Sequence, residues 1–89
     1  MDIVVNTKYN INDTVWFVDY FYDTCYPCKY PAKISEININ INESRLAAVY
    51  LLAIDYGDGI TLEKCAEKFC FPTYEECTKW CEEQNKKIG

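Results

Sequence analysis

Cys25-Tyr-Pro-Cys28 is the pair of side chains best suited to chemistry in this 89-residue chain. Two thiolates in a tight turn supply half of a tetrahedral structural zinc site. The other two sulfurs must come from Cys65, Cys70, Cys77 or Cys81. Cys77 and Cys81 recur one helical turn apart on an apolar face and read as small buried hydrophobes. Disulfides are a further use of the same thiols, but six cysteines allow too many connectivities for a pairing to be deduced. Thiol redox catalysis at Cys25-Tyr-Pro-Cys28 would need a helix N-terminus and a βαβ setting. Instead Lys29-Tyr30-Pro31 follows, so that chemistry is set aside.

Other catalysis has little material. The chain contains no histidine, which removes the commonest general base and the commonest nitrogen ligand. Asp55 and Asp58 flank Gly57, where turn chemistry accounts for both carboxylates. With three glycines in all, no phosphate-cradling loop is present. An enzyme is not expected. The remaining functional feature is a recognition surface in which Tyr20, Tyr22, Tyr26 and Tyr30 surround the Cys25 turn beside Asp19 and Asp23. Aromatic rings mixed with carboxylates suit a binding hot spot for a basic protein partner. The alternative is that these rings pack against a metal site or a helix.

Charge and composition narrow the partner. The formal net charge is -5, from 14 acidic and nine basic residues without a basic cluster. Phosphate-backbone binding depends on such a cluster, so direct nucleic-acid binding is not expected. An acidic body suits a basic surface, including the positive groove of a host nucleic-acid enzyme; it also simply keeps a small protein soluble. Met1-Asp-Ile-Val-Val-Asn-Thr lacks the basic start and apolar core of an export signal, so a cytoplasmic location in the host cell is expected. The longest apolar run, Leu46 to Ile54, is nine residues. A membrane span needs about 20, so none is expected.

The elements that must position these residues read as one mainly β domain over 1–89. Asn12-Asp13 marks a turn before Val15-Trp-Phe-Val-Asp-Tyr-Phe-Tyr22, a strand with Val15 and Phe17 on one face and Trp16, Val18 and Tyr20 on the other. Thr24 to Pro31, with two prolines, reads as a loop. Ile34 is out of phase with Ile37, Ile39 and Ile41, which predicts a bulge near Ser35-Glu36. Leu46 to Tyr56 has helix-compatible residues and a capping Ser44, but Asp58-Gly59 between two apolar runs favours a hairpin with Ile60 to Cys65. Thr73 and Glu76 form a capping box ahead of a helix over 74–87 whose apolar face is Tyr74, Cys77, Trp80, Cys81 and Gln84.

Four to five antiparallel strands over about 8–72 followed by one C-terminal α-helix resemble a small SH3-like barrel with an appended helix. Two short motifs strengthen the likeness: Asn12-Asp13-Thr14-Val15-Trp16-Phe17 at the start and Phe71-Pro72-Thr73-Tyr74-Glu75-Glu76-Cys77 at the end. In these the chain resembles small proteins encoded by phages and mobile elements of AT-rich bacteria, in which alanine is usual where Cys77 stands. That resemblance implies a phage or mobile-element accessory protein, in a setting where non-enzymatic inhibitors of host defence, such as anti-CRISPR proteins, are common. A small-molecule signal sponge and a structural phage component are the alternatives. In an SH3-like barrel the first long loop lies near the connection between the fourth and fifth strands. On that basis Cys25, Cys28, Cys65 and Cys70 are the expected zinc ligands, with core thiols as the competing reading of Cys65 and Cys70.

Overall fold

Side chains that alternate between inward and outward carry most of the chain through six antiparallel strands. A computed structural model describes residues 7–42 and 45–88. In chain order the elements are β1 (Thr14–Phe21), β2 (Thr24–Pro27), β3 (Ala32–Asn42), β4 (Arg45–Asp55), β5 (Ile60–Ala66), a 3-10 turn at Glu67–Phe69, β6 (Cys70–Phe71) and α1 (Tyr74–Ile88). The strands are ordered β2-β1-β3-β4-β5, and β6 pairs with β1. Among the described residues no helix is long and apolar enough to cross a membrane.

The expected bulge is present. Ile34 pairs with Leu52 and Glu36 with Leu51, so the register shifts between them and Ile34 and Ile37 fall on the same face. The helix-compatible stretch is strand β4, because that register buries Tyr50, Leu52 and Ile54 against Ile37, Ile34 and Ala32. Burying Ile34, Leu52 and Ile54 fully contributes about 1.5–3 kcal/mol each, more than the helix preference of the alanines and leucines beside them. The β4–β5 hairpin closes at the Asp55–Ile60 pair, where Asp55 Oδ1 accepts from the Gly57 N–H at 2.9 Å. Gly57 and Gly59 have φ of 99° and 135°, conformations that favour glycine.

β1 separates two cores, as its alternation predicts. Val15 and Phe17 join Tyr9, Cys28, Ala32, Ile34, Tyr50, Leu52, Ile54 and Cys70 in the larger one. Trp16 and Val18 turn the other way, toward Cys25, Cys77 and Cys81 beneath α1. Thr73 caps α1, its Oγ1 accepting from the Glu76 N–H at 3.2 Å. A polar chain crosses the end of the larger core: the Tyr50 hydroxyl donates to Glu67 at 2.5 Å and accepts from the Tyr9 N–H at 3.4 Å, while the Lys8 N–H donates to the same Glu67 oxygen at 3.0 Å.

Two expectations require correction. The sheet is not closed into a barrel: β1 and β3 share two residue pairs, and β5 pairs with β4 alone. Closure would need β5 to reach β2, but the outer edge of β2 is taken by α1. Thr24 to Pro27 is also a strand rather than a loop. At the end of an edge strand Pro27 removes no ladder hydrogen bond that a neighbour needs, so the proline did not exclude pairing.

Candidate functional site

The β1–β2 hairpin carries five of the six residues expected to bind a partner. Its register places Asp19 opposite Tyr26, Tyr20 opposite Cys25 and Phe21 opposite Thr24, leaving Tyr22 and Asp23 as the turn. Tyr22 has a φ of 56°, in the left-handed region, and is 89% exposed. Holding an L-residue there costs about 1–2 kcal/mol. Phe21 is 65% exposed and meets the Tyr22 ring edge-on at 4.7 Å, and Tyr20 is also exposed. The tip is therefore a projecting group of three aromatic side chains bracketed by Asp19 and Asp23. Phe21 is an addition to the residues singled out in the sequence, where an apolar residue in a β-rich run carries no mark of exposure.

Strand alternation distributes this group over two faces. Tyr20 lies on the Cys25 side, where partial desolvation first, and then the nearby Cys25 and Cys81, push its hydroxyl pKa above the usual tyrosine range. Tyr30 sits apart from the tip and packs edge-on against Tyr56, with ring centroids 5.2 Å apart. Burial first, then the nearby Glu63, Cys28 and Asp19, raise Tyr56 from 10.0 to about 12. Asp19 is thus within electrostatic reach of the Tyr30–Tyr56 pair, which connects that pair to the acidic face. Tyr56 had no marker in the sequence, because this contact forms between segments far apart in the chain.

The structure parts the four cysteines expected to hold zinc. Cys25 faces α1, whereas Cys28 enters the larger core with Cys70, against which Cys65 packs. An odd spacing in extended chain sends the two thiols to opposite faces. Cys70 donates to Cys65 at 3.6 Å, which raises the Cys70 thiol and lowers that of Cys65. Cys25 instead approaches Cys81, with sulfurs 3.0 Å apart. Among the described residues no three Cys, Asp or Glu side chains gather as a metal-binding group.

Asn85 explains why Cys25 meets α1 so closely. Its Oδ1 accepts from the Cys25 N–H and its Nδ2 donates to the Cys25 carbonyl, both at 2.9 Å. The amide thus replaces a neighbouring strand along the free edge of β2. Cys81 lies one turn before Asn85 on the same helix face, and Cys77 one turn before that. Burial raises the Cys77 thiol from 9.0 to about 11 and holds Cys81 well above the ordinary thiol range. These are protonated, packed thiols at neutral pH rather than ready nucleophiles. Asn85 had no motif in the sequence beyond its spacing from Cys81.

A separate groove of about 580 Å³ runs between Lys8 and α1, floored by Tyr9, Phe71 and Trp80 and rimmed by Lys8, Glu76, Lys79 and Glu83. The charges on its rim are of both signs, which favours no single class of ligand. No protein-family model, curated protein or solved structure matches this chain.

Proposed function

We propose that the protein works by binding another protein, as a non-enzymatic inhibitor or adaptor encoded by a phage or mobile element and directed at host defence in the manner of anti-CRISPR proteins. The observation that carries this reading is the projecting hairpin tip: Tyr20, Phe21 and Tyr22 exposed together, with Tyr22 held in a left-handed conformation. Exposed rings have no role in the protein's own core, and backbone strain concentrates at functional sites. Asp19 and Asp23 beside the rings, on a chain of net charge -5, suit a basic surface such as that of a host nucleic-acid enzyme. Six antiparallel strands in an open sheet, followed by one helix, carry this tip.

The test compares the wild-type chain with Asp19→Lys/Asp23→Lys and with Phe21→Ala/Tyr22→Ala against purified basic host nucleic-acid enzymes, at low and high salt. Charge reversal is expected to slow association and remove its salt dependence. Loss of two central rings is expected to weaken binding by roughly 30-fold or more, as for hot-spot residues. A partner that binds all three proteins equally would place recognition elsewhere.

A structural zinc on Cys25, Cys28, Cys65 and Cys70 is a companion proposal. It requires Cys25 to leave Cys81 and join Cys28 on the other face, so the extended backbone between them must give way to a bulge or turn. One zinc per chain in reduced protein, lost in Cys28→Ser, supports it; metal-free folded protein overturns it. A structural phage component is the competing role, and β5 favours it, since its outer edge is unpaired among the described residues and Ile60 and Leu62 are exposed. Large assemblies in native mass measurements would select that role over the inhibitor.

A further inference from the structure

Cys25 and Cys81 lie 56 residues apart in sequence, yet their sulfurs are 3.0 Å apart and both side chains are 2% exposed. That separation is about one ångström more than a disulfide bond of roughly 2.0 Å. Two further features hold the pair in place. Asn85, one turn beyond Cys81, fixes the Cys25 backbone through two hydrogen bonds of 2.9 Å. Cys77, fully buried one turn before, closes the packing around both sulfurs together with Trp16, Val18 and Trp80.

The other thiols are placed differently. Cys65 and Cys70 are 3.6 Å apart, with the Cys70 S–H donated to Cys65, and Cys65 directs its own S–H to the Ala66 carbonyl at 3.6 Å. Cys28 sits in the larger core, on the far side of β2 from Cys25.

We propose that Cys25 and Cys81 form an intramolecular disulfide by exchange with a low-molecular-weight disulfide, making this pair a covalent modification site that ties α1 to β2. One cysteine, as its thiolate, attacks a sulfur of the small disulfide and expels one small thiolate, leaving a mixed disulfide. The second cysteine thiolate attacks the protein sulfur of that mixed disulfide and expels the other. Two cysteine thiols are oxidised, one small disulfide is reduced to two thiols, and the two cysteine protons end on those thiols. Because both sulfurs are buried, the first attack occurs when the end of α1 lifts from β2. The inference rests on the thiol geometry and is independent of any partner bound by the hairpin. It is incompatible with a zinc that uses Cys25.

The experiment equilibrates the reduced full chain, with a chelator present, against mixtures of oxidised and reduced glutathione. Samples are acid-quenched, unfolded, alkylated and mapped by peptide mass spectrometry. The expected first product is about 2 Da lighter before alkylation, with Cys25 joined to Cys81 and the other four thiols alkylated. It should persist in Cys28→Ser and Cys65→Ser and vanish in Cys81→Ser. Asn85→Ala, which keeps both thiols, should require a mixture roughly tenfold more oxidising for half conversion. Six alkylated thiols in every mixture, or a first cross-link between any other two cysteines, would overturn the assignment. The wild-type map decides the matter even if a serine variant does not fold.

Discussion

Replacing Asn85 with alanine tests the contact that ties the helix to the sheet. The substitution deletes two hydrogen bonds of 2.9 Å and leaves the N–H and carbonyl of Cys25 without partners on the free edge of β2. Each bond contributes about 0.5–1.5 kcal/mol net, so both together contribute about 1–3 kcal/mol. Two effects pull the expected loss toward the middle of that range. The site is part-buried, so water can recover some of the hydrogen bonding, and alanine is the better helix former by up to about 0.7 kcal/mol. The expected loss is therefore about 1.5–2 kcal/mol, which for a domain of this size lowers Tm by roughly 6–16 °C.

Urea unfolding followed by circular dichroism would measure the loss. The slope should be unchanged, because the surface exposed on unfolding is the same. Amide exchange gives the local signature: the Cys25 N–H should lose protection while those paired between β3 and β4 keep theirs relative to global stability. Asn85→Asp separates the two halves of the clamp. It keeps an acceptor for the Cys25 N–H but sets a carboxylate against the Cys25 carbonyl, so it should be no more stable than the alanine variant. A loss below about 0.5 kcal/mol for Asn85→Ala would mean that packing of Trp80, Cys77 and Cys81 docks the helix unaided, and the reasoning from the clamp would fail.

Three further outcomes are expected. Stability should fall as pH rises above about 9, because Cys77 moves from 9.0 to about 11 and Tyr56 from 10.0 to about 12 on folding. Both groups hold their protons more tightly in the folded chain, so the stabilisation is complete below the unfolded values and is lost through the folded ones; flat urea midpoints between pH 8 and 12 would contradict it. Tyr50→Phe should cost about 1–3 kcal/mol in urea unfolding, since it strands the buried Tyr9 N–H and removes one of the two donors to the Glu67 oxygen; a loss within about 0.5 kcal/mol would show that the chain across the core is not stabilising. Tyr22→Gly should raise stability by about 0.5–1 kcal/mol by relieving the left-handed φ of 56°, while weakening partner binding; destabilisation would show that the turn is not strained at Tyr22.

Sequence patterns were legible where one local rule acted alone. Period-two alternation assigned Val15 and Phe17 to one core and Trp16 and Val18 to the other, and phase counting located the bulge between Ile34 and Glu36. The Thr73 cap and the burial of Cys77 and Cys81 followed from spacing, whereas Tyr74, read onto the same face, is exposed. What local rules could not reach was the choice of neighbours. Nothing near Asn85 indicates that its amide will occupy the edge of β2, a contact that holds α1 against that edge and Cys81 beside Cys25. Prolines at 27 and 31 suggested a loop because the rule against proline in strands concerns central strands, and the position of β2 at the edge is a tertiary fact. The placement of the cysteines was hidden in the same way: Cys25 and Cys28 are close in sequence, but extended backbone sends them to different cores.

The helix, the thiols and the aromatic tip form one mechanical unit. Cys25, held by Asn85, is opposite Tyr20 in the ladder, and Tyr22 follows two residues later at the turn. At about 3.3 Å per residue the rings of the tip begin within roughly 7 Å of the clamp. A hairpin fixed so close to its end leaves little backbone to order when a surface is engaged, so the entropy lost on binding is confined to the side chains of Tyr20, Phe21 and Tyr22. If the clamp supplies that rigidity, Asn85→Ala should weaken partner binding without altering a single contact residue, and it should do so mainly by slowing association, because the tip must first be ordered. A disulfide between Cys25 and Cys81 acts on the same anchor by a covalent route. Oxidation should then restore to the Asn85→Ala chain the association rate that the substitution removed, whereas a chain that binds equally fast with the anchor loosened would show that the tip orders itself.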